Sequence, residues 1–234
     1  SGLDWPALAA QLDYLSVPND ARVSDAVRSQ YRSGAMRLLR WQDFEDVERA
    51  SWAPWYAAMR GLDGIYATAE FGGLPGMSAI GLPEEGLEAL SGSMGRLQGG
   101  FGRLMHSVRR VDESIVVVSS QVNRYLRHWN GAEDVDGPLL AYTDALRKAG
   151  YGYRIVSDEA LVGIEASDAA VLILPDLKAL SDRAVEAIRS FENASKLVIA
   201  DGAAGLTDEH GIPRSVAPFA SARLLRADEM GALE

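Results

Sequence analysis

The chain has 234 residues, no cysteine and a formal net charge of -10 at pH 7. The missing cysteine excludes disulfides, thiolate nucleophiles and cysteine-based zinc sites. An acidic chain without a basic stripe is a poor partner for nucleic acid, because neutralising phosphates requires clustered Lys and Arg. No apolar run is long enough to span a membrane, so we expect a soluble protein, with the cytoplasm as the favoured compartment.

The first part of the chain alternates short apolar runs with helix-like segments, which is typical of α/β architecture with parallel strands. Pro54 falls within one of the helix-like segments and predicts a helix start or a kink there. The predicted elements are strands at Tyr14–Val17, Ala35–Trp41 and Gly64–Thr68, and helices at Ser24–Arg32 and Val47–Arg60.

The next segment has a helical period interrupted by five glycines. Its apolar residues recur at spacings of three and four and predict one stripe of a long helix: Leu87, Leu90, Met94, Leu97, Phe101, Leu104 and Val108. We interpret it as a helix that connects two domains, with a self-associating seam as the alternative. The predicted boundaries are therefore 1–83 for the first segment, 84–111 for the connecting helix and 112–234 for the second domain.

The second domain contains clearer strands, because its apolar runs are nearly continuous, as expected for strands covered on both faces. The stretch "DGPLLAYTDALRKAG" predicts a helix with Lys148 in its last turn and Gly150 just past its end. Another helix begins after the predicted N-cap Ser181 and buries one face through Val185, Ile188 and Phe191. Together with the strands, these helices predict a small doubly wound sheet of the flavodoxin-like type. The predicted strands are Ser114–Ser120, Tyr153–Val156, Ala169–Leu174 and Lys196–Ala200.

Several kinds of chemistry lack their motifs. No glycine-rich phosphate loop follows a strand, and no GxSxG elbow of a hydrolase is present. The three histidines, His106, His128 and His210, are scattered without metal-ligand spacing. A class I amidotransferase would need a cysteine nucleophile, which this chain does not contain. We therefore predict no cofactor and no metal.

Carboxylates remain as candidate catalytic groups. In a (β/α) barrel, acids at the carboxyl ends of strands carry the chemistry, and glycoside hydrolysis uses two of them. Glu70 follows the third predicted strand, and an acidic stretch follows the second: Asp43, Glu45, Asp46 and Glu48. The alternative interpretation of "DFEDVER" is the acidic first turn of a helix. The nearby Trp41, Trp52 and Trp55 offer flat apolar faces to sugar rings.

Taken in order, several stretches resemble the carboxyl-terminal portion of family 42 glycoside hydrolases, the β-galactosidase type. "LAAQLDYLSVPND" is similar to a late barrel strand with its loop, and "WAPWYAAMRGLDGIYATAEFGG" to the closing helix and eighth strand. From about residue 110, the chain resembles the β-galactosidase trimerisation domain, which has a glutamine-amidotransferase-like fold. This second match lies in "SIVVVSSQVN", "AAVLILPDLKALSDRAVEAIRSF", "KLVIADG" and "GLTDEHG".

The resemblance implies an incomplete (β/α) barrel segment followed by an amidotransferase-like parallel-sheet domain. It implies roles in oligomer assembly and in walling a sugar cleft, with carbohydrate, the rest of the barrel and a sister chain as partners. The family's nucleophilic Glu would stand at Trp41, with Glu45 as the nearest Glu, and the strand of the acid/base Glu has no counterpart.

We therefore expect no catalysis by this chain alone and a homo-oligomeric assembly. Glu45 and Glu70 are the candidate catalytic residues, and Trp41, Trp52 and Trp55 are the candidate substrate-binding residues. A different class of function stays open: a non-catalytic carbohydrate-binding or protein-interaction domain with the same kind of fold.

Overall fold

The computed structural model describes residues 11–19, 24, 36–41, 46–67, 84–107, 114–201, 203–219 and 223–224. These residues form two compact units, the first ending at residue 107 and the second starting at residue 114. In both units the paired strands run parallel. The predicted α/β class with parallel sheets is therefore confirmed.

The first unit contains a three-stranded sheet in the order β1-β2-β3, formed by β1 (Tyr14–Val17), β2 (Met36–Trp41) and β3 (Gly64–Ala67). The register places Val17 beside Leu39 and Leu39 beside Ile65. All three strands lie where the sequence predicts them. The predicted helix Ser24–Arg32 falls, apart from Ser24, outside the described residues.

Helix α1 (Val47–Met59) covers one face of this sheet. It begins at Asp46, whose carboxylate accepts a hydrogen bond of 3.0 Å from the Arg49 backbone N–H, a common N-cap arrangement. The small residues Ala53 and Ala57 let the helix approach the strands closely. They share an apolar core with Val17, Leu39, Trp41 and Leu62.

The segment after residue 84 is not one continuous helix. Helix α2 (Glu84–Arg96) packs against α1 and is followed by a π-helical turn (Leu97–Phe101) and by helix α3 (Gly102–Ser107). Gly100 has φ of 122°, which no helical residue adopts and which favours glycine. The prediction of a single helix from Leu87 to Val108 is therefore wrong. Three residues of the predicted stripe are exposed: Leu87, Phe101 and Leu104.

The second unit is built on a five-stranded parallel sheet in the order β5-β4-β6-β7-β8. The strand that follows β4 in sequence, β5, lies on one side of β4, and the next strand, β6, lies on its other side. The carboxyl ends of β4 and β6 therefore form a topological switch point. The four predicted strands are confirmed. The fifth strand, β8, was not predicted, because two residues are too few to show a strand pattern in the sequence. The strands are β4 (Ile115–Ser119), β5 (Tyr153–Ser157), β6 (Val171–Leu174), β7 (Leu197–Ala200) and β8 (Arg223–Leu224).

Three helices flank this sheet: α4 (Gln121–Trp129), α5 (Gly137–Lys148) and α6 (Asp182–Asn193). Helix α6 starts as predicted, because the Ser181 hydroxyl accepts the Ala184 backbone N–H at 3.2 Å. Its face of Val185, Ile188 and Phe191 is buried in the core, which confirms the predicted pattern. Helix α5 ends before Gly150, whose φ of 78° stops the helix as predicted.

Candidate functional site

Among the residues that the structure describes, no helix covers one face of the three-stranded sheet. Side chains alternate along a strand, so Val17, Leu39 and Trp41 point toward α1, and their neighbours point to the opposite face. We call this second set the bare face: Tyr14, Ser16, Met36, Leu38, Arg40 and Tyr66. Three large members, Tyr14, Met36 and Tyr66, are 53%, 55% and 44% exposed. Exposure of this kind is unusual, because parallel sheets are normally covered on both faces.

Arg40 and Tyr66 form the polar end of the bare face. They are partners in the β2–β3 register, and each is the last residue but one of its strand. Neighbouring strands lie about 4.8 Å apart, so the two side chains leave the sheet from adjacent positions near the carboxyl ends of the strands. Arg40 is exposed, and its side chain makes no hydrogen bond or ion pair with any described residue.

The three predicted sugar-binding tryptophans lie on the covered side of the sheet. Trp41 is 5% exposed and belongs to the core beneath α1. Trp52 and Trp55 are carried by α1 itself, where Trp52 is 55% exposed and Trp55 meets Phe101 edge-on at 5.3 Å between ring centroids. The structure does not bring them to the bare face, and their contact with a sugar stays a prediction.

The two candidate catalytic residues, Glu45 and Glu70, and also Asp43, lie outside the described residues. The other two acids after β2 are described. Asp46 caps α1 and Glu48 stands in its first turn, so for this pair the acidic first turn is confirmed. No described carboxylate belongs to the bare face as defined above.

A cavity of about 810 Å³ lies within the first unit, between α1, α2, α3 and the amino ends of β2 and β3. Its walls include Leu62, Ile65 and Leu97, and the Arg37–Asp63 ion pair, with 3.1 Å between Nε and Oδ2, lines it as well. Barrel enzymes place their chemistry at the carboxyl ends of the strands, whereas residues at the amino ends serve stability. The cavity therefore lies at the end of the sheet opposite to the one that carries the chemistry in barrel enzymes.

In the second unit, a polar residue follows each of the four long strands: Ser120, Asp158, Asp176 and Asp201. Asp201 accepts hydrogen bonds from the Tyr142 hydroxyl at 2.8 Å and from the Asp176 backbone N–H at 2.7 Å. Asp176 is paired with Arg127 of α4, and its carbonyl accepts the Asn123 side-chain amide at 2.9 Å. These contacts join α4, α5 and the strand ends into one network.

This network fills the carboxyl edge of the second sheet. The space left at the switch point is about 20 Å³, which is room for roughly one water molecule. Burial raises the pKa of the Tyr142 hydroxyl, and the hydrogen bond to Asp201 adds to the effect. Burial also raises the pKa of Asp158, against the opposing hydrogen bond from Ser120. Among the described residues, this edge therefore combines titratable groups of raised pKa with a space too small for a sugar.

Within the described parts of the chain, no three His, Asp or Glu side chains approach closely enough to hold a metal ion. In the same residues, no helix combines the length and the apolar character needed to cross a bilayer.

Comparison with known proteins gives a likeness in fold. No family model matches the sequence, and no curated protein matches it. Gan42B, a GH42 β-galactosidase from G. stearothermophilus, matches with a TM-score of 0.70 and 16% identity over 91% of this chain and 36% of that chain. The β-galactosidase from Bacillus circulans sp. alkalophilus matches with a TM-score of 0.70 and 16% identity over 90% and 35%.

The chain has the fold of part of a GH42 β-galactosidase. The exo-carrageenase GH42 from Bacteroides ovatus also matches, with a TM-score of 0.62 and 13% identity over 90% of this chain and 31% of that chain. The GH42-like chain thus spans only about a third of the length of these proteins. At such low identities the likeness concerns the fold alone.

Sequence reasoning missed Arg40 and Tyr66 in this GH42-like region. The signal was present, because residues 36–41 form a strand in which Leu39 and Trp41 share one face and the residues between them share the other. Once Trp41 is assigned to the core, alternation alone places Arg40 on the opposite face.

Proposed function

We propose that the chain is the part of a GH42-like glycoside hydrolase that contributes late barrel strands and an amidotransferase-like domain. In this proposal the chain takes part in oligomer assembly and forms part of the wall of the sugar cleft, and it does not catalyse hydrolysis alone. The observation that supports it most is the likeness in fold over about nine tenths of this chain, combined with a sheet that has one bare face.

The first unit supports an incomplete barrel. Three parallel strands cannot close into a cylinder, because closure links strand number, tilt and shear. A complete (β/α) barrel has eight strands, and side chains from all of them fill its interior. Helix α1 stands where an outer barrel helix would stand, and Tyr14, Met36 and Leu38 on the other side lack the neighbours that a barrel interior provides. The rest of the barrel would supply them.

The second unit supports a role in assembly. Its strand order corresponds to the flavodoxin-like order 2-1-3-4-5, in which ligands normally bind at the switch point. Here the side chains of α4 occupy that point, and the cysteine needed for amidotransferase chemistry is absent from the sequence. A filled site on this fold favours a structural role, and we propose that the unit holds a homo-oligomer together.

The comparisons also support a proposal for the substrate. Of the three matched proteins described above, two are named β-galactosidases and one an exo-carrageenase, so we propose a β-galactoside-type or related sugar. Glu45 and Glu70 remain the candidate carboxylates of this chain for such chemistry, since both follow strands of the first sheet in sequence.

The alternative is a non-catalytic carbohydrate-binding or protein-interaction module. Two strongly exposed tryptophans favour it: Trp52 at 55% and Trp129 at 88%. Exposed tryptophans are enriched where one protein contacts another, and their rings also suit sugar faces.

The test compares two proteins in hydrolysis of 4-nitrophenyl β-D-galactoside: the 234-residue chain and the complete product of the gene that encodes it. We expect only the complete product to hydrolyse the galactoside. If Glu45 or Glu70 acts in the chemistry, the Glu45→Gln or Glu70→Gln variant of the complete product should lose this activity. Turnover by the chain alone would overturn the proposed division of labour. Binding of galactose by the complete product without any turnover would favour the alternative.

A further inference from the structure

We propose that Arg40, with Tyr66 beside it, binds an anionic substituent, a sulfate or a carboxylate, on the sugar. This inference rests on the proposed function, because it takes the bare face as the interior of a barrel and the carboxyl ends of β2 and β3 as the substrate side.

The position of the two residues is the first argument. Arg40 and Tyr66 are register partners on adjacent strands, and each is followed by a single further strand residue. In (β/α) barrel enzymes, the groups that contact substrate come from the carboxyl ends of strands and the loops behind them. Tyr14 and Met36, at the amino ends of β1 and β2, are too far along the strands to take part.

Charge is the second argument. Arg40 is the only charged member of the bare face, and it makes no ion pair with a described residue although the chain as a whole carries a net charge of -10. The other arginine of β2, Arg37, points to the covered side and is bound to Asp63. A guanidinium enclosed in a barrel requires an anion, because an unpaired buried charge is strongly destabilising.

The chemistry of the pair identifies the class of anion. A guanidinium presents N–H donors in a planar fork that matches two oxygens of a carboxylate or a sulfate, and such charge-assisted bonds are short and strong. Tyr66 adds an apolar ring face for the sugar C–H groups and a hydroxyl that donates to an oxygen. A neutral sugar would leave the positive charge of Arg40 unpaired.

A carboxylate from another barrel strand would satisfy Arg40 equally well, and in that case the arginine is structural. The two possibilities differ in one respect: only a substrate-binding arginine gives the protein a preference for charged over neutral sugars. The preference must also weaken as salt screens the partly exposed charge.

The experiment titrates the 234-residue chain with D-galactose 6-sulfate, D-galacturonate and D-galactose, and follows backbone amide shifts by NMR. We expect at least one charged sugar to bind about tenfold or more tightly than galactose, the difference expected for charge-assisted hydrogen bonds. Arg40→Gln should remove this preference, and Arg40→Lys should restore part of it. The matched control is Arg96→Gln, an exposed arginine at the end of α2, which should change nothing.

The outcome also separates the two sources of the anion. Preference for galactose 6-sulfate alone identifies sulfated sugars, and preference for galacturonate alone identifies uronic acids. Equal binding of charged and neutral sugars, a preference that survives in Arg40→Gln, or no binding of either charged sugar would overturn the inference. None of these results affects the turnover test of the complete gene product, so the proposed function stands or falls separately.

Discussion

The Tyr142 hydroxyl donates a hydrogen bond of 2.8 Å to Oδ1 of Asp201 and so ties helix α5 to the carboxyl end of strand β7. Tyr142 is 2% exposed, and the second carboxylate oxygen of Asp201 accepts the backbone N–H of Asp176 at 2.7 Å. Asp201 therefore connects a helix on one face of the sheet with the turn that follows β6. Hydrogen bonds of this kind hold the strand ends and the helix in fixed positions relative to one another.

Replacing Tyr142 with Phe removes this hydrogen bond and little else. We expect the free energy of unfolding of the second unit to fall by about 1.5–3 kcal/mol, the range for a hydrogen bond to a charged group. Thermal or urea unfolding at pH 7 measures the change. Tyr151→Phe is the matched control, because Tyr151 is 62% exposed and should show no measurable loss. Equal effects of the two substitutions would contradict a specific role of the Tyr142–Asp201 bond.

The same residue predicts a pH dependence. Burial and Asp201 hold the pKa of Tyr142 above its ordinary value of 10, so the folded state keeps the proton that the unfolded chain releases first. The stabilisation is complete below about pH 10 and is lost as the pH rises through the folded-state pKa. The stability difference between wild type and Tyr142→Phe should therefore shrink above pH 10, as measured by urea unfolding between pH 8 and 11.

Whereas the Tyr142–Asp201 bond stabilises the folded state at neutral pH, the ionised side chain of Asp158 destabilises it. Burial raises its pKa above the ordinary value of 3.8, and hydrogen bonds from Ser120 and from the Glu159 backbone N–H only partly offset this. The folded state thus binds a proton more tightly than the unfolded state, so the stability that this group contributes is present below about pH 4 and lost as the pH rises. Its ionised form is a destabilising element at pH 7.

Asp158→Asn keeps the size and an accepting oxygen but cannot ionise. We expect the variant to be more stable than wild type at pH 7 and to match it below about pH 4, where the carboxyl is protonated. Chemical unfolding at both pH values provides the measurement. Glu186→Gln is the control at an exposed carboxyl of α6 and should change the stability at neither pH. A variant less stable than wild type at pH 7 would show that the carboxylate is favourable where it is.

The kink before α3 can be tested with a pair of neighbouring glycines. A Cβ at Gly102 would lie 2.7 Å from the Leu97 carbonyl oxygen, whereas a Cβ at Gly99 meets nothing within 4 Å. Gly102→Ala should destabilise α3 by about 1–3 kcal/mol through the forced backbone shift. Gly99→Ala should be neutral or stabilising by up to about 1 kcal/mol, since Ala is the better helix former. Hydrogen exchange of the α3 amides compares the two variants, and equal protection would contradict the geometry at Leu97.

The fold was predictable from the sequence where burial dominates. Continuous apolar runs such as Ile115–Ser119 form strands because both faces are covered, and Ser181 and Gly150 mark helix ends through local hydrogen bonding and backbone conformation. The kink at Gly100 was not predictable, because a π-helical turn keeps apolar residues near the expected spacing while it changes their direction.

The candidate site was less predictable than the fold. Proximity in sequence favoured Trp41 as a residue of the sugar cleft, whereas the strand period places its neighbour Arg40 on the bare face and buries Trp41 under α1. Helix α4 was also missed, because most of its residues are polar. Its buried Asn123 and its Arg127 act through hydrogen bonds to the turn after β6, and such tertiary partners leave no periodic apolar pattern.

The bare face predicts how the 234-residue chain behaves in isolation. Tyr14 and Met36 are register partners, each more than half exposed, and apolar patches of this kind promote association. We expect Tyr14→Ser combined with Met36→Ser to lower self-association in sedimentation velocity and to reduce binding of an anilinonaphthalene dye. Tyr151→Ser combined with Val216→Ser is the matched control, because it removes two exposed apolar side chains of the second unit. If only the control pair reduced association, the contact surface of the isolated chain would lie on the second unit, and the bare face would need no partner strands.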